Sequence, residues 1–289
     1  MAAIIIDGKA TAAKKREEIR KKVSLLKERG INPCLAVILV GENPASLSYV
    51  RGKQKALAEA GMESMDIRLS ETVPEEELLS IISGLNADKK VHGILVQLPL
   101  PAHIQEAHII SAIESGKDVD CFHPVSLGKL VQGQSGFLPC TPQGIVVLLS
   151  EYNIPVSGRD VVVVGRSNIV GKPLAMLLAR RELNATVTLC HTGTNDLSSH
   201  TRRADILIAA VGKPGLIKGE MIKQGAAVID VGVSRVPDAA ALKGYRLCGD
   251  VVFDEALDRA GWITPVPGGV GPMTIAMLMR NVLLAAENA

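Results

Sequence analysis

Short apolar runs alternate along the chain with longer amphipathic segments. Runs of Val, Ile, Leu and Ala predict strands buried on both faces of a parallel sheet, and apolar spacings of three and four predict helices between them. The predicted strands lie at 34–41, 64–70, 93–101, 160–164, 185–192, 204–212 and 226–233, and the segment 261–269 is predicted to be a final short strand with a loop. The predicted helices lie at 11–29, 44–61, 72–88, 103–115, 142–152 and 272–289, with one more after the strand at 160–164. This repeated βαβ pattern predicts an α/β fold with parallel sheets.

The segment 116–142 interrupts the pattern, because it has little periodicity and many turn residues. We interpret it as a functional loop followed by an interdomain link. It separates a first domain, 1–140, from a second, 141–271. The last helix, 272–289, is expected to start at Pro272 and to return to the first domain. Thr72 and Thr141 are the expected caps of the helices that follow them.

Composition narrows the classes of protein that fit. The chain has 289 residues, 47% of them hydrophobic, and a net charge of +2, which gives no electrostatic footprint for nucleic acid. The sequence has no run of eighteen apolar residues, so no membrane span is expected, and the N-terminus is a poor signal peptide. Five scattered cysteines without a CxxC pair and six dispersed histidines indicate reduced thiols and no metal site. We therefore expect a cytoplasmic protein that binds neither membrane nor nucleic acid.

The helix at 44–61 carries a lysine on its apolar face. Val50, Lys53 and Leu57 recur at spacings of three and four, and Tyr49 lies one turn before Lys53. Burial favours the uncharged form of an amine, and an uncharged lysine can act as a general base. The alternative is that Lys53 extends from the edge of the helix to water.

The sequence GRSNIVGKP, residues 165–173, follows a buried strand and opens a helix. A Rossmann fold binds the phosphates of a dinucleotide at such a position, where a helix offers free N–H groups. The motif departs from G-x-G-x-x-G, because Ser167 takes the second glycine position and Gly171 comes one residue late. Its context favours a cofactor site over a plain strand–helix turn.

The end of the next strand bears on the choice of cofactor. An NAD site usually has an acidic residue there for the ribose hydroxyl. This chain has His191 and Thr192 there, with no carboxylate before Asp196. Together with Arg166 in the preceding turn, this favours the 2′-phosphate of NADP. The alternative is that Arg166 pairs with a surface carboxylate such as Asp196.

Two aspartates alternate in the segment KDVDCF. Asp118 and Asp120 lie on one side of the chain if the backbone is extended, and one of them can accept hydrogen bonds from the N–H groups of a ligand. For Asp118 a role in a turn, or a pair with Lys117, is the favoured interpretation. The glycines of PGGVGPMT, residues 267–274, allow close approach to a ligand or form a domain hinge.

Nine motifs occur in order along the chain: VGENPASLSYVRGK, VQLPLP, KDVDCFHP, PCTPQGIV, VVVGRSNIVGKP, CHTGT, IDVGVSR, GDVVF and TPVPGGVGPMT. Together they resemble the bifunctional methylenetetrahydrofolate dehydrogenase/cyclohydrolase family. The resemblance implies that 5,10-methylenetetrahydrofolate is oxidised to the methenyl form with NADP⁺ and then hydrolysed to 10-formyltetrahydrofolate. It implies two α/β domains, a folate-binding one and a Rossmann-like NADP-binding one, with the active-site cleft between them. It also implies a homodimer.

The resemblance implies roles for four residues on the folate side. Tyr49 stacks on the ring of the folate, Lys53 assists water attack and proton transfer, and Gln97 holds and tunes this lysine. Asp120 binds the pterin. Cys121 stands where the family usually has glycine.

Five further residues are implied on the cofactor side. Gly165, Arg166 and Ser167 contact the cofactor. Thr192 replaces the usual serine and keeps the hydroxyl. Val233 offers its backbone to the nicotinamide side.

Two other functions stay open. One is a dehydrogenase that lacks cyclohydrolase activity, which the presence of Lys53 argues against. The other is a nucleotide-binding regulatory or scaffolding protein with an inactive site. The intact set of Tyr49, Lys53, Gln97 and Asp120 argues against that function.

Overall fold

The structure is a computed structural model that describes residues 3–238, 240–241 and 244–289. The helices are α1 (Gly8–Glu28), α2 (Pro44–Glu59), α3 (Glu75–Ala87), α4 (Glu106–Ala112), α5 (Pro124–Val131), α6 (Cys140–Glu151), α7 (Gly171–Leu178), α8 (Leu197–Thr201), α9 (Phe253–Leu257) and α10 (Val270–Glu287). The strands are β1 (Ile4–Ile5), β2 (Cys34–Val40), β3 (Glu63–Leu69), β4 (Gly93–Val96), β5 (Asp160–Val164), β6 (Thr186–Cys190), β7 (Ile206–Ala209), β8 (Ala227–Asp230), β9 (Ser234–Pro237), β10 (Tyr245–Cys248) and β11 (Trp262–Ile263). The predicted α/β class is confirmed.

The chain forms two compact units. The six-stranded unit comprises the N-terminal segment up to Ala12 together with Thr141–Thr274, and the three-stranded unit comprises Ala13–Cys140 and Ile275–Ala289. The sequence predicts that residues 1–12 belong to the first domain. In the structure, β1 instead pairs in parallel with β11 of the six-stranded unit. A two-residue strand leaves no periodic pattern, so only this long-range pairing reveals its place.

The six-stranded sheet has the order β6-β5-β7-β8-β11-β1, and all its neighbouring strands are parallel. Its core is aliphatic and includes Val162, Val164, Leu207 and Val228. From β5 the chain steps one way to β6 and then returns past β5 to β7. Ligands of such sheets bind beyond the carboxyl ends of the strands at this switch point. The 165–171 turn after β5 lies there.

The three-stranded sheet has the order β3-β2-β4 and is also parallel. Its central strand β2 is buried along its whole length, as its unbroken apolar sequence predicts. Leu78 and Ile82 of α3 pack against this core. His92 immediately precedes β4 and Gln97 immediately follows it, so these two polar residues mark opposite ends of the strand.

Three predicted boundaries differ from those in the structure, namely the end of β4 and the starts of α3 and α6. The strand predicted over 93–101 stops at Val96, since Pro99 and Pro101 have no N–H to continue a ladder. Helix α3 has Pro74, not Thr72, as its N-cap, and the Thr72 hydroxyl lies 2.9 Å from that of Ser70. Thr141 is inside α6 rather than before it.

Six of the elements given above were not predicted, namely β1, α5, α8, β9, β10 and α9. The segment 116–142 contains α5, which His123 caps by accepting a hydrogen bond from the N–H of Val125. Strands β9 and β10 form an antiparallel pair.

Helix α10 begins two residues before Pro272, the expected start. In the described part of the chain, no helix has the length and apolar character needed to cross a membrane.

Candidate active site

Helix α2 has the two faces that its sequence predicts. Val50 and Leu57 are buried, whereas Arg51 and Lys55 are exposed. Lys53 lies on the buried side and is itself half-buried. Its Nζ donates a hydrogen bond to Oε1 of Gln97 over 3.2 Å. The amine is therefore directed at a specific acceptor, which the alternative of a lysine extended to water does not require.

The side chain of Gln97 is oriented at both ends. Its Nε2 donates to the carbonyl oxygen of Leu98 over 2.7 Å. That bond leaves Oε1 as the atom that accepts from the amine of Lys53. Tyr49, one turn before the lysine, keeps 51% of its surface exposed. A ligand thus finds an exposed aromatic ring and an oriented amine on one helix.

The two aspartates of the KDVDCF segment have different environments. Asp118 is only 2% exposed and accepts hydrogen bonds from the backbone N–H of His123 over 2.9 Å and the hydroxyl of Ser126 over 2.6 Å. Burial raises the pKa of Asp118, and these hydrogen bonds oppose the rise. Lys117 does not pair with it but donates to backbone carbonyls at the end of α3. Asp118 therefore has the turn role.

Asp120 remains partly exposed while its surroundings are fixed. The Cys140 thiol lies 3.6 Å from Oδ1 of Asp120 and 3.4 Å from the carbonyl oxygen of Val119. Burial raises the pKa of Cys140 well above its usual value, so the thiol stays protonated and can donate. Asn281 of α10 donates to the same Val119 carbonyl over 2.8 Å. These contacts hold the backbone beside the carboxylate and leave the carboxylate available.

Cys121, which follows Asp120, has an unusual backbone conformation. It is fully buried and has a φ of 61°, in the left-handed region that glycine adopts without cost. Its thiol donates to the carbonyl oxygen of Phe137 over 3.2 Å, and burial raises its pKa. The structure thus gives a physical reason for glycine at this position.

In the six-stranded unit, two glycines make the turn after β5 possible. Gly165 has a φ of 124°, and a Cβ on it would lie 2.2 Å from the carbonyl oxygen of Ala210. A Cβ on Gly171 would lie 1.9 Å from the carbonyl oxygen of Gly165. The Ser167 hydroxyl accepts from the N–H groups of Val170 and Gly171 at 3.1 and 3.4 Å, so its own hydrogen is left to donate. This close-packed turn at a helix start suits a phosphate group.

Arg166 and Thr192 are both exposed. In the ranges that the structure describes, no hydrogen bond or ion pair engages the Arg166 guanidinium. Asp196, the alternative partner for this arginine, instead caps α8 by accepting the N–H of Ser199 over 3.2 Å. A cation without a carboxylate partner at this turn fits an anionic ligand group.

A pair of buried aspartates, which was not among the predicted site residues, connects the loops that follow β7 and β8. Asp230, at the end of β8, accepts from the backbone N–H groups of Gly232, Asp250 and Val251 at 3.0, 2.9 and 2.9 Å. Burial raises the pKa of Asp230 to about 6. The available signal was an aspartate that ends the apolar strand in IDVG.

Asp250 extends this network to the loop after β7. Its Oδ2 accepts from the N–H groups of Val211 and Gly212 at 2.7 and 3.0 Å. A Cβ on Gly232 would lie 2.2 Å from Oδ1 of Asp250, so only glycine fits there. Val233 follows this glycine and is 44% exposed. The backbone of Val233 therefore lies in a loop whose preceding residue, Gly232, is held by a hydrogen bond to Asp230.

Within the described ranges, no group of three or more His, Cys, Asp and Glu side chains lies close enough together to hold a metal ion. All five cysteines are free thiols, and four of them are buried.

Comparison with known proteins assigns the family. A model of the tetrahydrofolate dehydrogenase/cyclohydrolase catalytic domain matches residues 6–120, and one of the NAD(P)-binding domain of the same family matches residues 139–289. The chain belongs to this family. The bifunctional protein FolD of Moorella thermoacetica is 57% identical over 287 residues, which cover 99% of this chain and 100% of the relative. FolD of Bacillus subtilis is 54% identical over 99% of both chains.

Two solved structures of family members have folds that closely match that of this chain. The FolD methylenetetrahydrofolate dehydrogenase/cyclohydrolase of Campylobacter jejuni has a TM-score of 0.95 at 50% identity and covers 99% of both chains. The Trypanosoma brucei enzyme, solved with NADP cofactor and an inhibitor, has a TM-score of 0.95 at 42% identity and covers 100% of this chain and 98% of that one. The family that the nine motifs resemble is therefore confirmed.

Proposed function

We propose that this chain oxidises 5,10-methylenetetrahydrofolate to 5,10-methenyltetrahydrofolate with NADP⁺ and hydrolyses the product to 10-formyltetrahydrofolate, as an enzyme of one-carbon metabolism. The observation that carries the proposal is the hydrogen bond between Lys53 and Gln97, in the unit that contains most of the catalytic-domain match. Membership of the family alone would also be compatible with a protein that has lost the enzymatic activity. An oriented amine beside an exposed tyrosine supports an active hydrolytic site.

In the hydrolytic step, water adds to the methenyl carbon and loses a proton. Lys53 assists this transfer, and Gln97 keeps the amine in place through the 3.2 Å hydrogen bond. The hydroxyl group of this adduct then gives up its proton as the bond from the carbon to N5 of the folate breaks, N5 takes up a proton, and the formyl group stays on N10, so that one proton is released overall. Tyr49 supports the folate ring by stacking, and Asp120 accepts hydrogen bonds from the N–H groups of the pterin.

For the oxidative step, the turn after β5 fits a dinucleotide. Gly165 and Gly171 leave room that a Cβ would fill, the Ser167 hydroxyl can donate, and Arg166 can pair with the 2′-phosphate. When bound, NADP⁺ supplies the hydride acceptor. Thr192 adds a hydroxyl beside the phosphate, and the backbone at Val233 lines the nicotinamide side.

Other parts of the proposal concern organisation. The three-stranded unit, which contains Lys53 and most of α10, is the folate-binding catalytic domain, and the six-stranded unit is the NADP-binding domain. The protein acts in the cytoplasm as a homodimer. Static light scattering at micromolar concentration should give twice the chain mass, and a monomer mass would refute the dimer.

One experiment separates the candidate functions. Purified protein is mixed with methylenetetrahydrofolate and either NADP⁺ or NAD⁺, and reduced cofactor and methenyl absorbance are followed together. The bifunctional enzyme forms reduced NADP while methenyl absorbance stays low or decays. A dehydrogenase without the second activity accumulates the methenyl product, which then decays only at the uncatalysed rate. A scaffolding protein gives neither signal, and that result would refute the proposal.

A further inference from the structure

A large cavity lies in the three-stranded unit at the end of β4 that is opposite Gln97. Its volume is about 1080 Å³, and it is lined by residues from four segments, 86–92, 114–117, 126–137 and 284–289. Cavities that hold drug-sized ligands usually measure about 300–1,000 Å³. None of the residues assigned above to the folate or the cofactor lines this space. We propose that it binds a small organic anion with an apolar body, as a site additional to the proposed function and independent of it.

A largely buried histidine in the wall supplies a hydrogen-bond donor. His92 is only 9% exposed, and its Nδ1 accepts the backbone N–H of Cys34 over 3.2 Å. Burial lowers the pKa of His92, so the ring is neutral and carries its one proton on Nε2. Nowhere in the described ranges does an acceptor pair with this Nε2. A ligand oxygen in the cavity can accept that hydrogen bond.

The charge of the wall favours an anion. The amine of Lys117 donates to the carbonyl oxygens of Leu85, Asn86 and Asp88 at 2.9, 2.8 and 2.7 Å. These partners are neutral dipoles, so the positive charge of the lysine is not cancelled by a carboxylate.

The other charged side chains of the cavity continue this pattern. Lys89 and Lys129 also line it and are exposed, and Glu114 is the acidic side chain among the lining residues. Three lysines against one glutamate create a positive potential that attracts a carboxylate, sulfonate or phosphate.

The remaining surface favours a ligand with an apolar part. Val91, Phe137, Leu284 and Ala285 contribute to the lining. Burial of an aromatic or branched aliphatic body against these side chains contributes affinity, while the polar groups orient the anionic end. Free inorganic phosphate would use only half of these features and should bind more weakly.

The test uses the full chain and 1-anilinonaphthalene-8-sulfonate, a fluorescent aromatic sulfonate. We expect saturable binding at one site that persists at saturating NADP⁺. The double variant Lys89→Glu, Lys129→Glu should weaken binding at least about tenfold, since each reversal of an exposed charge changes an ion pair by a few-fold or more. The matched control is Lys21→Glu, Lys22→Glu on the exposed face of α1, which should change affinity by less than about twofold under the same reasoning.

The location is read independently from the histidine side chain. Saturating probe should shift the ¹⁵N resonance of His92 Nε2 in the wild type. Displacement of the probe by NADP⁺, equal weakening in both double variants, absence of saturation, or an unmoved His92 resonance would each overturn the proposal.

Discussion

Replacement of Lys53 by methionine tests the chemistry most directly. The substitution keeps the length of the side chain and removes the amine that lies 3.2 Å from Gln97. General acid–base groups contribute about 10²–10⁴-fold to rates. Because Lys53 is half-buried rather than enclosed, we expect a value near the lower end. Hydrolysis of methenyltetrahydrofolate should therefore fall by about a hundredfold or more.

The size of the Gln97 contribution follows from its single contact with the lysine. A hydrogen bond to a group that becomes charged as it takes up a proton is worth about 1.5–3 kcal/mol, and Gln97→Leu removes it. That energy corresponds to about ten- to a hundredfold in rate if the bond is made in the transition state. Because Gln97 acts through the lysine, the double variant should be no slower than Lys53→Met alone.

The assay is the decay of methenyl absorbance after correction for the uncatalysed reaction. Lys55→Met is the matched control, since Lys55 is on the exposed face of the same helix and pairs with Glu59 at 3.8 Å. It should retain wild-type hydrolysis. Near-normal hydrolysis in Lys53→Met would show that the amine has no chemical role. Fully additive losses in the double variant would show that Gln97 acts independently of it.

Three further predictions concern the cofactor and stability. Arg166→Ala should weaken NADP⁺ about ten- to a hundredfold and leave NAD⁺ nearly unchanged in binding titrations, because a charge-assisted contact to the 2′-phosphate is lost; equal losses for both cofactors would contradict the assignment. Asp230, whose folded pKa is raised to about 6, contributes stability that is present below its unfolded pKa near 4 and is lost as pH rises through 6. Denaturant titrations from pH 4 to 7 should therefore show that Asp230→Asn removes this part of the pH dependence, and an unchanged slope would refute the burial argument. Cys121→Gly should be more stable than Cys121→Ala by about 1 kcal/mol in the same titrations, because alanine retains the cost of the left-handed backbone; the opposite order, which holds at ordinary positions, would contradict it.

Local sequence determined much of the fold. The apolar run 34–41 predicted a buried strand, and the stripe of Val50 and Leu57 identified the buried face of α2. Lys53 was found because its charge interrupts that stripe. The glycine turn after β5 was recognisable because close approach of two backbones excludes a Cβ at Gly165 and Gly171. The predicted cleft between the domains stays a prediction.

Tertiary structure decided what depends on partners distant in sequence. The Lys53–Gln97 hydrogen bond joins residues 44 positions apart, and Asn281 reaches Val119 across 162 positions. No local pattern encodes such contacts, because their energy depends on where the whole chain brings the groups together. The same holds for β1, whose two residues acquire a structure only by pairing with β11. Asp118 and Asp120 lie only two residues apart, yet burial made one of them a structural residue and left the other available to a ligand.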